Sequence, residues 1–536
     1  MTDASSTFKE RLSALSPALL KGIRRGIEKE SLRVRTDGAL AQTPHPAVLG
    51  SALKHPHITT DFSEALIELI TGVHTGVDSC LEELKRIHQF VYRHIGDEVL
   101  WGASMPCSLP DENAIPIARY GDSNVGRAKT AYRMGLSHRY GRRMQMIAGL
   151  HYNFSLPGAA WPLPGLPGPS EGYFALIRNF RRHAWLLMYL FGASPAVCSS
   201  FVAGRKHELR ELGPGTLFMP HATSLRMGRL GYLSEAQDSL AVSYNSLESY
   251  TASLYDVLTQ PYPPYEAIGI RDGRVAGDGV DSYKQLATSL LQIENEFYST
   301  IRPKRVIRSG ERALHALRER GVEYVEVRAM DLDPFSPVGI SASTVRFLDI
   351  FLLHCLLTES PPDTRAEIEA IGRNKQRAAQ RGREPGLRLD RGSQTAELRE
   401  WGGQVLAECE PIAAALDAAY RGAPEKNAYR NALAAAVSAV EDPAPVPSAR
   451  VLSEMQRSHA SSYSRFALAR SLDHAKILRN EPFSSEVEAR FVRLAEESIR
   501  KQQEIEAVDK IPFETYRQKY LSSESLEVRS SVQNSV

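Results

Sequence analysis

Through the first two thirds of the chain, short segments in which apolar and polar residues alternate with period two are interleaved with segments of helical period. Four alternating segments gather their polar residues on one side. In 26–34 (GIEKESLRV), Glu28 and Glu30 share a face. In 150–156 (LHYNFSL), His151, Asn153 and Ser155 oppose Leu150, Tyr152, Phe154 and Leu156. In 292–298 (QIENEFY), Gln292, Glu294, Glu296 and Tyr298 oppose Ile293, Asn295 and Phe297. In 323–330 (EYVEVRAM), Tyr324, Glu326 and Arg328 oppose Val325, Val327 and Ala329. A fifth segment, 60–71 (TDFSEALIELIT), places Glu64 and Glu68 four residues apart, on one face whether it is helix or strand.

The other signals are helical. Residues 8–25 read as a short amphipathic helix with basic flanks, and the apolar stretch 185–202 reads as a buried helix ending near Gly192. Its Gly, Pro and Ser residues and the preceding Arg181, Arg182 and His183 argue against a membrane span. From Ser341 onward the pattern predicts helices over 343–358, 364–381, 394–421, 425–441, 449–470 and 484–506, with a proline-rich connector at 442–448. The expectation is an α+β protein with one domain over 1–520: a sheet core over about 20–345, a helical part over about 346–520, and a polar, frayed tail over 521–536.

Composition narrows the function classes. Lys plus Arg is 65 and Asp plus Glu is 63, so the 536 residues carry a formal charge of only +2. That balance supplies no basic field for nucleic acid and no polybasic membrane signature. The five cysteines are widely spaced and include no CxxC, which argues against a disulfide framework or a structural zinc site and fits a reducing cytoplasm. The N-terminus shows no apolar secretory signal.

Any one polar strand face is most simply a solvated one. Together, however, these faces are dominated by carboxylates, with one His, Asn and Gln and two Tyr. Clustered carboxylates repel and stay together only if protonated or bridged by cations. Oxygen-rich ligands with little nitrogen and no sulfur point to Mg²⁺, or Mn²⁺, rather than zinc. Mg²⁺ in such a cleft usually serves phosphates. Directly after the 292–298 segment comes RPKRVIR (302–308), whose Arg302, Lys304 and Arg305 are candidate phosphate contacts. The run 119–133 (RYGDSNVGRAKTAYR) could be a phosphate loop but lacks GxxxxGK[ST], and no kinase or dinucleotide glycine pattern occurs elsewhere.

Several strings resemble the proteobacterial-type glutamate–cysteine ligases (γ-glutamylcysteine synthetases). They include KGIRRGIEKESLRV (21–34), ITTDFSEALIELIT (58–71), SMPC (104–107), YGDSNVGRAKTAYRMGL (120–136), GLHYNFSLP (149–157), YLFGASPAVCSSF (189–201), PHATSLRMGRLGY (220–232), LQIENEFYSTIRPKR (291–305) and GVEYVEVRAMDLDPFSP (321–337). They run in the family's order from about 20 to 360, while 205–216 and 259–286 depart from it. The resemblance implies a glutamine-synthetase-like antiparallel sheet curled into a funnel. It also implies ATP-dependent joining of the L-glutamate γ-carboxylate to the L-cysteine amine, the first step of glutathione synthesis.

Carried over residue by residue, the resemblance implies Mg²⁺ ligation by Glu28, Glu30, Asp61, Glu68, His151 and Glu326. It implies a cysteine pocket of Phe62, Tyr132, Leu136, Tyr250 and Tyr298, with Arg133 and Arg226 as further carboxylate or phosphate contacts. Arg328 holds the glutamate carboxylate or the transferring phosphate, and Asp61 is the candidate base for the cysteine ammonium. A cytoplasmic monomer, feedback binding of glutathione, and no nucleic-acid or membrane partner complete the expectation. Two alternatives stay open at this point: a ligase of the same superfamily using another amine, and a non-catalytic Mg–nucleotide module.

Overall fold

A computed structural model of the chain describes residues 3–231, 235–238, 240–273, 279–308, 310–422 and 425–527. The alternating segments assemble one antiparallel sheet. Its strands are β1 (Arg24–Val34), β2 (Ile58–Thr60), β3 (Leu66–Ile70), β4 (Val99–Leu100), β5 (Leu150–Ser155), β6 (Ile301–Lys304) and β7 (Tyr324–Met330). Their order is β2–β3–β1–β5–β7–β6, with β4 pairing the end of β1.

Register aligns the polar faces into rows. Glu68 lies opposite Glu30, Glu28 opposite His151, and Glu326 opposite both Asn153 and Arg302. The alternate residues (Ile27, Ile67, Leu69, Tyr152, Phe154, Val325 and Val327) are all buried on the other face. Against that face pack α1 (Val77–His94), α3 (Pro169–Phe191) and α4 (Ala342–Leu357), while α2 (Asn124–Tyr140) lies on the polar side. As expected, α3 stops at Gly192, and no helix among the described residues is long and apolar enough to cross a membrane.

The back face also carries a buried charge pair. Arg25 Nη2 is 2.9 Å from Asp349 Oδ2, both side chains fully buried. The hydroxyls of Tyr152 and Tyr429 donate to Asp349 over 2.6 and 3.2 Å, and Arg25 also donates to the Thr75 carbonyl. The network joins β1, β5 and α4 beneath the polar row.

Several expected elements are redrawn. The helix over 8–25 is instead Asp3–Ala14 and a short turn, Pro17–Lys21, because Pro17 cannot continue a helix and Ser16 caps the new turn; Arg24 already opens β1. The segment 60–71 is a hairpin, so Glu64 turns away to accept the His45 and Arg119 N–H groups while Glu68 stays in the row. The helix over 449–470 splits into Pro447–Ser458 and Tyr463–Asn480 at left-handed Ala460 and Ser461. The start of 394–421 is given to a hairpin, Arg388–Arg391 with Gln394–Glu397, before α5 (Leu398–Ala419). The tail from 521 is not wholly frayed: α6 (Phe513–Leu521) leads into a turn, Ser523–Leu526, that buries Leu526 completely. Residues 528–536 lie outside the described residues.

The cysteines also differ from expectation. Cys107 and Cys198, 91 residues apart in sequence, form a disulfide, while Cys80, Cys355 and Cys409 are free and buried. The pairing depends on the strand Ala196–Cys198 meeting the 104–107 segment in space, which spacing along the chain does not reveal.

Asp349→Ala should cost about 3–5 kcal/mol in urea unfolding, since it leaves the Arg25 guanidinium buried without its counter-charge. Arg25→Met with Asp349→Leu should recover most of that loss, and removal of the exposed Arg35–Asp37 pair should leave the unfolding curve unmoved.

Candidate active site

The polar row floors a cleft of about 400 Å³. At its centre Glu28 Oε1 accepts from Asn153 Nδ2 (2.8 Å), and Glu28 Oε2 is 3.2 Å from His151 Nδ1. His151 lies 3.9 Å from Glu30 and 3.8 Å from Glu326. Glu30 accepts the Gly149 N–H at 2.6 Å. Toward β6 the charges reverse. Glu326 is 3.4 Å from Lys304, 3.3 Å from Arg328 and 4.0 Å from Arg302. Glu68 stands at the opposite, acidic end.

Electrostatics follow this polarity. Burial, Glu28 and Asp61 push the Glu68 carboxyl well above its ordinary range, and burial with Asp61 raises Glu30 against the pull of Arg226. Burial opposes ionisation of Glu326 too, but Lys304, Arg328 and His151 hold it well below the carboxylate range. Burial and Arg328 lower the His151 imidazole, so it presents a neutral ring to its carboxylates. Negative charge is therefore undercompensated at one end and matched by cations at the other.

The walls come from distant segments. On α2, Lys129, Tyr132, Arg133 and Leu136 face the cleft, started by the Ser123 cap on the Gly126 N–H. Arg133 reaches Asp61, its Nη2 being 3.9 Å from Oδ1, and lies over the Tyr120 ring. Tyr298 accepts from Gln145 at 3.1 Å and stands edge-on to Tyr140. Tyr516 and Tyr520 of α6 complete the mouth.

Four sequence-named residues fall off this wall. Phe62 is fully buried, because the turn after β2 presents Asp61 outward and the next side chain inward. Tyr250 packs among Phe174 and Tyr244 rings in the core. Arg226 lies beneath the row, donating to the Arg328 carbonyl at 3.0 Å and facing Asp331 at 3.5 Å. A side chain at Gly149 would strike its guanidinium at 2.1 Å, so the glycine permits that close approach. Arg305 pairs with Glu323 at 3.6 Å and lines a second cavity of about 420 Å³ with Arg24, Asn153 and Tyr324. The two cavities share Glu28.

The expected strand over 292–298 is a loop with one tight turn, Glu294–Glu296. Its carboxylates leave the site for buried pairs, Glu294 with Arg312 and Glu296 with Arg139, each at 3.0 Å. Asn295 and Ile293, the residues assigned to the other side, face the cleft instead. Sequence reasoning also missed Lys129, Gln145, Tyr516 and Tyr520. The helical spacing of Lys129, Tyr132, Arg133 and Leu136 was a usable signal, whereas nothing near Tyr516 links it to a cleft built 188–488 residues earlier.

Comparison with known proteins accords with this geometry. The family model described as glutamate-cysteine ligase matches residues 10–378. The chain is 48% identical over 518 residues to a glutamate–cysteine ligase of Alcanivorax borkumensis, covering 95% of this chain and 97% of that protein. It is 49% identical to that of Azotobacter vinelandii, covering 97% and 99%. A crystal structure of a glutamate–cysteine ligase from Francisella tularensis, in complex with AMP, superposes with a TM-score of 0.87 at 35% identity, covering 94% of this chain and 98% of that one. On the match along its length, and on a fold shared nearly end to end with a solved member, the chain belongs to the glutamate–cysteine ligase family.

Proposed function

We propose that the two cavities meeting at Glu28 receive the amino acids on one side and ATP on the other, and that γ-glutamyl phosphate forms between them. The observation that carries this reading is the charge polarity of one sheet face, acidic at Glu68 and Glu30 and basic at Arg302 and Lys304. Two anions, the glutamate γ-carboxylate and the ATP γ-phosphate, must approach each other for the family's reaction.

Glu28, Glu30, Glu68, His151 and Glu326 fit Mg²⁺, with Mn²⁺ as the alternative. Ligand atoms of Glu28, His151 and Glu326 already lie within 4.8 Å of one another, and beside them the Glu68 and Glu30 carboxyls, which the protein's own cations leave hard to ionise, would be stabilised as carboxylates by a bound cation. Asp61, at the mouth and more exposed, joins that set or acts as a base. When bound, the ions would neutralise phosphate charge and stabilise the transferring group.

The chain's own side chains do the rest. Arg302 and Lys304 hold phosphoryl oxygens from the cleft side, and Arg305 from the nucleotide cavity. Arg328, 3.3 Å from Glu326, holds the glutamate carboxylate or the transferring phosphoryl group. Arg226 acts from below, fixing the Arg328 backbone, and the buried Tyr250 and Phe62 support the wall from behind. Lys129 and Arg133 face the acceptor's carboxylate, and Asp61 takes the ammonium proton as the cysteine nitrogen attacks the acyl carbon. Tyr132, Leu136 and Tyr298 surround the thiol and keep water from the acyl phosphate.

We assign 1–520 to one catalytic unit because a continuous core runs from Leu15 to Leu526 and α6 finishes the cleft. ATP and a free thiol as substrates argue for the cytoplasm. Glutathione, which retains the γ-glutamyl and cysteinyl groups, is the expected feedback ligand of the same cleft.

Glutamate labelled with ¹⁸O in its γ-carboxylate should deliver label to the released phosphate; label kept wholly in the peptide would rule out the acyl phosphate. Glu28→Gln should lower kcat by at least about a hundredfold with an unchanged circular dichroism spectrum. Near wild-type turnover at saturating Mg²⁺ would remove Glu28 from the ligand set.

The acceptor pocket is testable through its substrates. 2-Aminobutyrate, which replaces the thiol by a methyl group, should react well, and serine should be poorer by roughly ten- to two-hundredfold in kcat/KM, since its hydroxyl is desolvated against Tyr132 and Leu136. Serine matching 2-aminobutyrate would show a polar pocket and reopen the choice of amine.

A further inference from the structure

Away from the cleft, three donor side chains converge where α3, α4 and α5 meet. His183 on α3 and His354 and Cys355 on α4 each bring one ligand atom, and these atoms all lie within 4.8 Å of one another. His354 and Cys355 are fully buried, and His183 is half-buried at the edge. The two imidazole centroids are 5.8 Å apart, with Trp401 of α5 edge-on to His183 at 5.9 Å.

A second observation points to a ligand. His354 Nε2 is 2.8 Å from Glu408 Oε2, a carboxylate on α5 whose side chain is 59% exposed. A carboxylate only accepts, so in the neutral ring Nε2 carries the proton and Nδ1 the lone pair. Nδ1 is buried and has no hydrogen-bond partner. An unused buried acceptor is costly, and this one belongs to a ring that brings a nitrogen within 4.8 Å of a second imidazole and a thiol. A carboxylate on the far nitrogen is also the arrangement that orients a metal-binding imidazole.

We propose that His183, His354 and Cys355 form a transition-metal site, with Zn²⁺ as the divalent ion of its class and Glu408 as the orienting carboxylate. Two nitrogens and a sulfur select against Mg²⁺, so the site is chemically distinct from the carboxylate cleft. Binding replaces the Cys355 thiol proton, which leaves to solvent, and the thiolate with Glu408 balances the dication. Nearby cations are engaged elsewhere: Arg182 pairs with Glu367 at 2.7 Å, and Arg391 lies over Trp401 at 5.1 Å. Three protein ligands leave a fourth position for water on the half-exposed His183 side, which is also the way in. The ion ties α3 to α4, the helices behind the sheet, so it acts on stability rather than on the reaction.

The experiment is a Co²⁺ titration of the metal-stripped, full-length protein. One equivalent should produce a thiolate-to-cobalt charge-transfer band in the near ultraviolet, displaced by Zn²⁺ and untouched by excess Mg²⁺. Co²⁺ in the carboxylate cleft has no sulfur ligand and gives no such band. Cys355→Ser should abolish the band. Glu408→Gln, a surface change, should weaken Co²⁺ binding about ten- to hundredfold with ligase activity unchanged. Absence of the band in the unmodified protein, its persistence in Cys355→Ser, or an unaltered affinity in Glu408→Gln would each overturn the site. The first and last of these hold even if Cys355→Ser fails to fold.

Discussion

Antiparallel register is the constraint on which the site depends. It sets Glu68 against Glu30, Glu28 against His151 and Glu326 against Arg302, so chemistry from five strands meets without any long side-chain reach. A slip of one residue in any pairing would turn a carboxylate into the apolar core. Like charges in neighbouring strands resist this alignment. The opposing force comes from the back face, where Ile27, Ile67, Tyr152 and Val327 are fully buried and Arg25, Asp349 and Tyr152 link β1 and β5 to α4. Helices α1, α3 and α4 thus maintain a surface that its own electrostatics disfavour.

That tension has a direction. Glu326 is satisfied by protein cations, whereas Glu68 and Glu30 are not, and their carboxyls are correspondingly hard to ionise. A cleft with all its charges internally paired would give little to an incoming ligand, because each contact would first have to be broken. Here the acidic end is open to cations and the basic end to anions. Glu28 lies at the crossing, bounding both cavities, so a group held there faces the two of them together.

The sequence revealed this sheet face well, for a simple reason. Period-two alternation assigns Glu28, Glu30, His151, Glu326 and Arg328 to one side whichever strands they pair with. The family strings supplied the function and fold, which alternation alone did not. What stayed hidden depended on contacts distant in sequence. The alternation of 292–298 looked like the others, but Arg139 and Arg312 draw Glu296 and Glu294 into buried pairs, and Ile293 and Asn295 meet the cleft beside Tyr298. Phe62 adjoins a site residue, yet a turn sends it inward. Arg226 carries a charge that suggests substrate contact, and instead it supports Arg328 from beneath. The Cys107–Cys198 bond has the same origin, since only the folded chain brings those segments together.

The C-terminal helices are best understood through α6. Glu294 accepts from Arg312, and Arg312 donates in turn to the Tyr520 carbonyl at 2.9 Å. Asn124 Nδ2, at the start of α2, donates to the Ile511 carbonyl at 2.9 Å. The last described helix is therefore tied both to the loop bearing Tyr298 and to the helix bearing Lys129, Tyr132 and Arg133. Its Tyr516 and Tyr520 rings stack 5.8 Å apart at the cleft mouth. A polar-faced sheet alone would leave an activated acyl group open to water on one side. Among the C-terminal helices α6 brings Tyr516 and Tyr520 to that side, so a segment far from the sheet in sequence helps to enclose the cleft that the sheet begins.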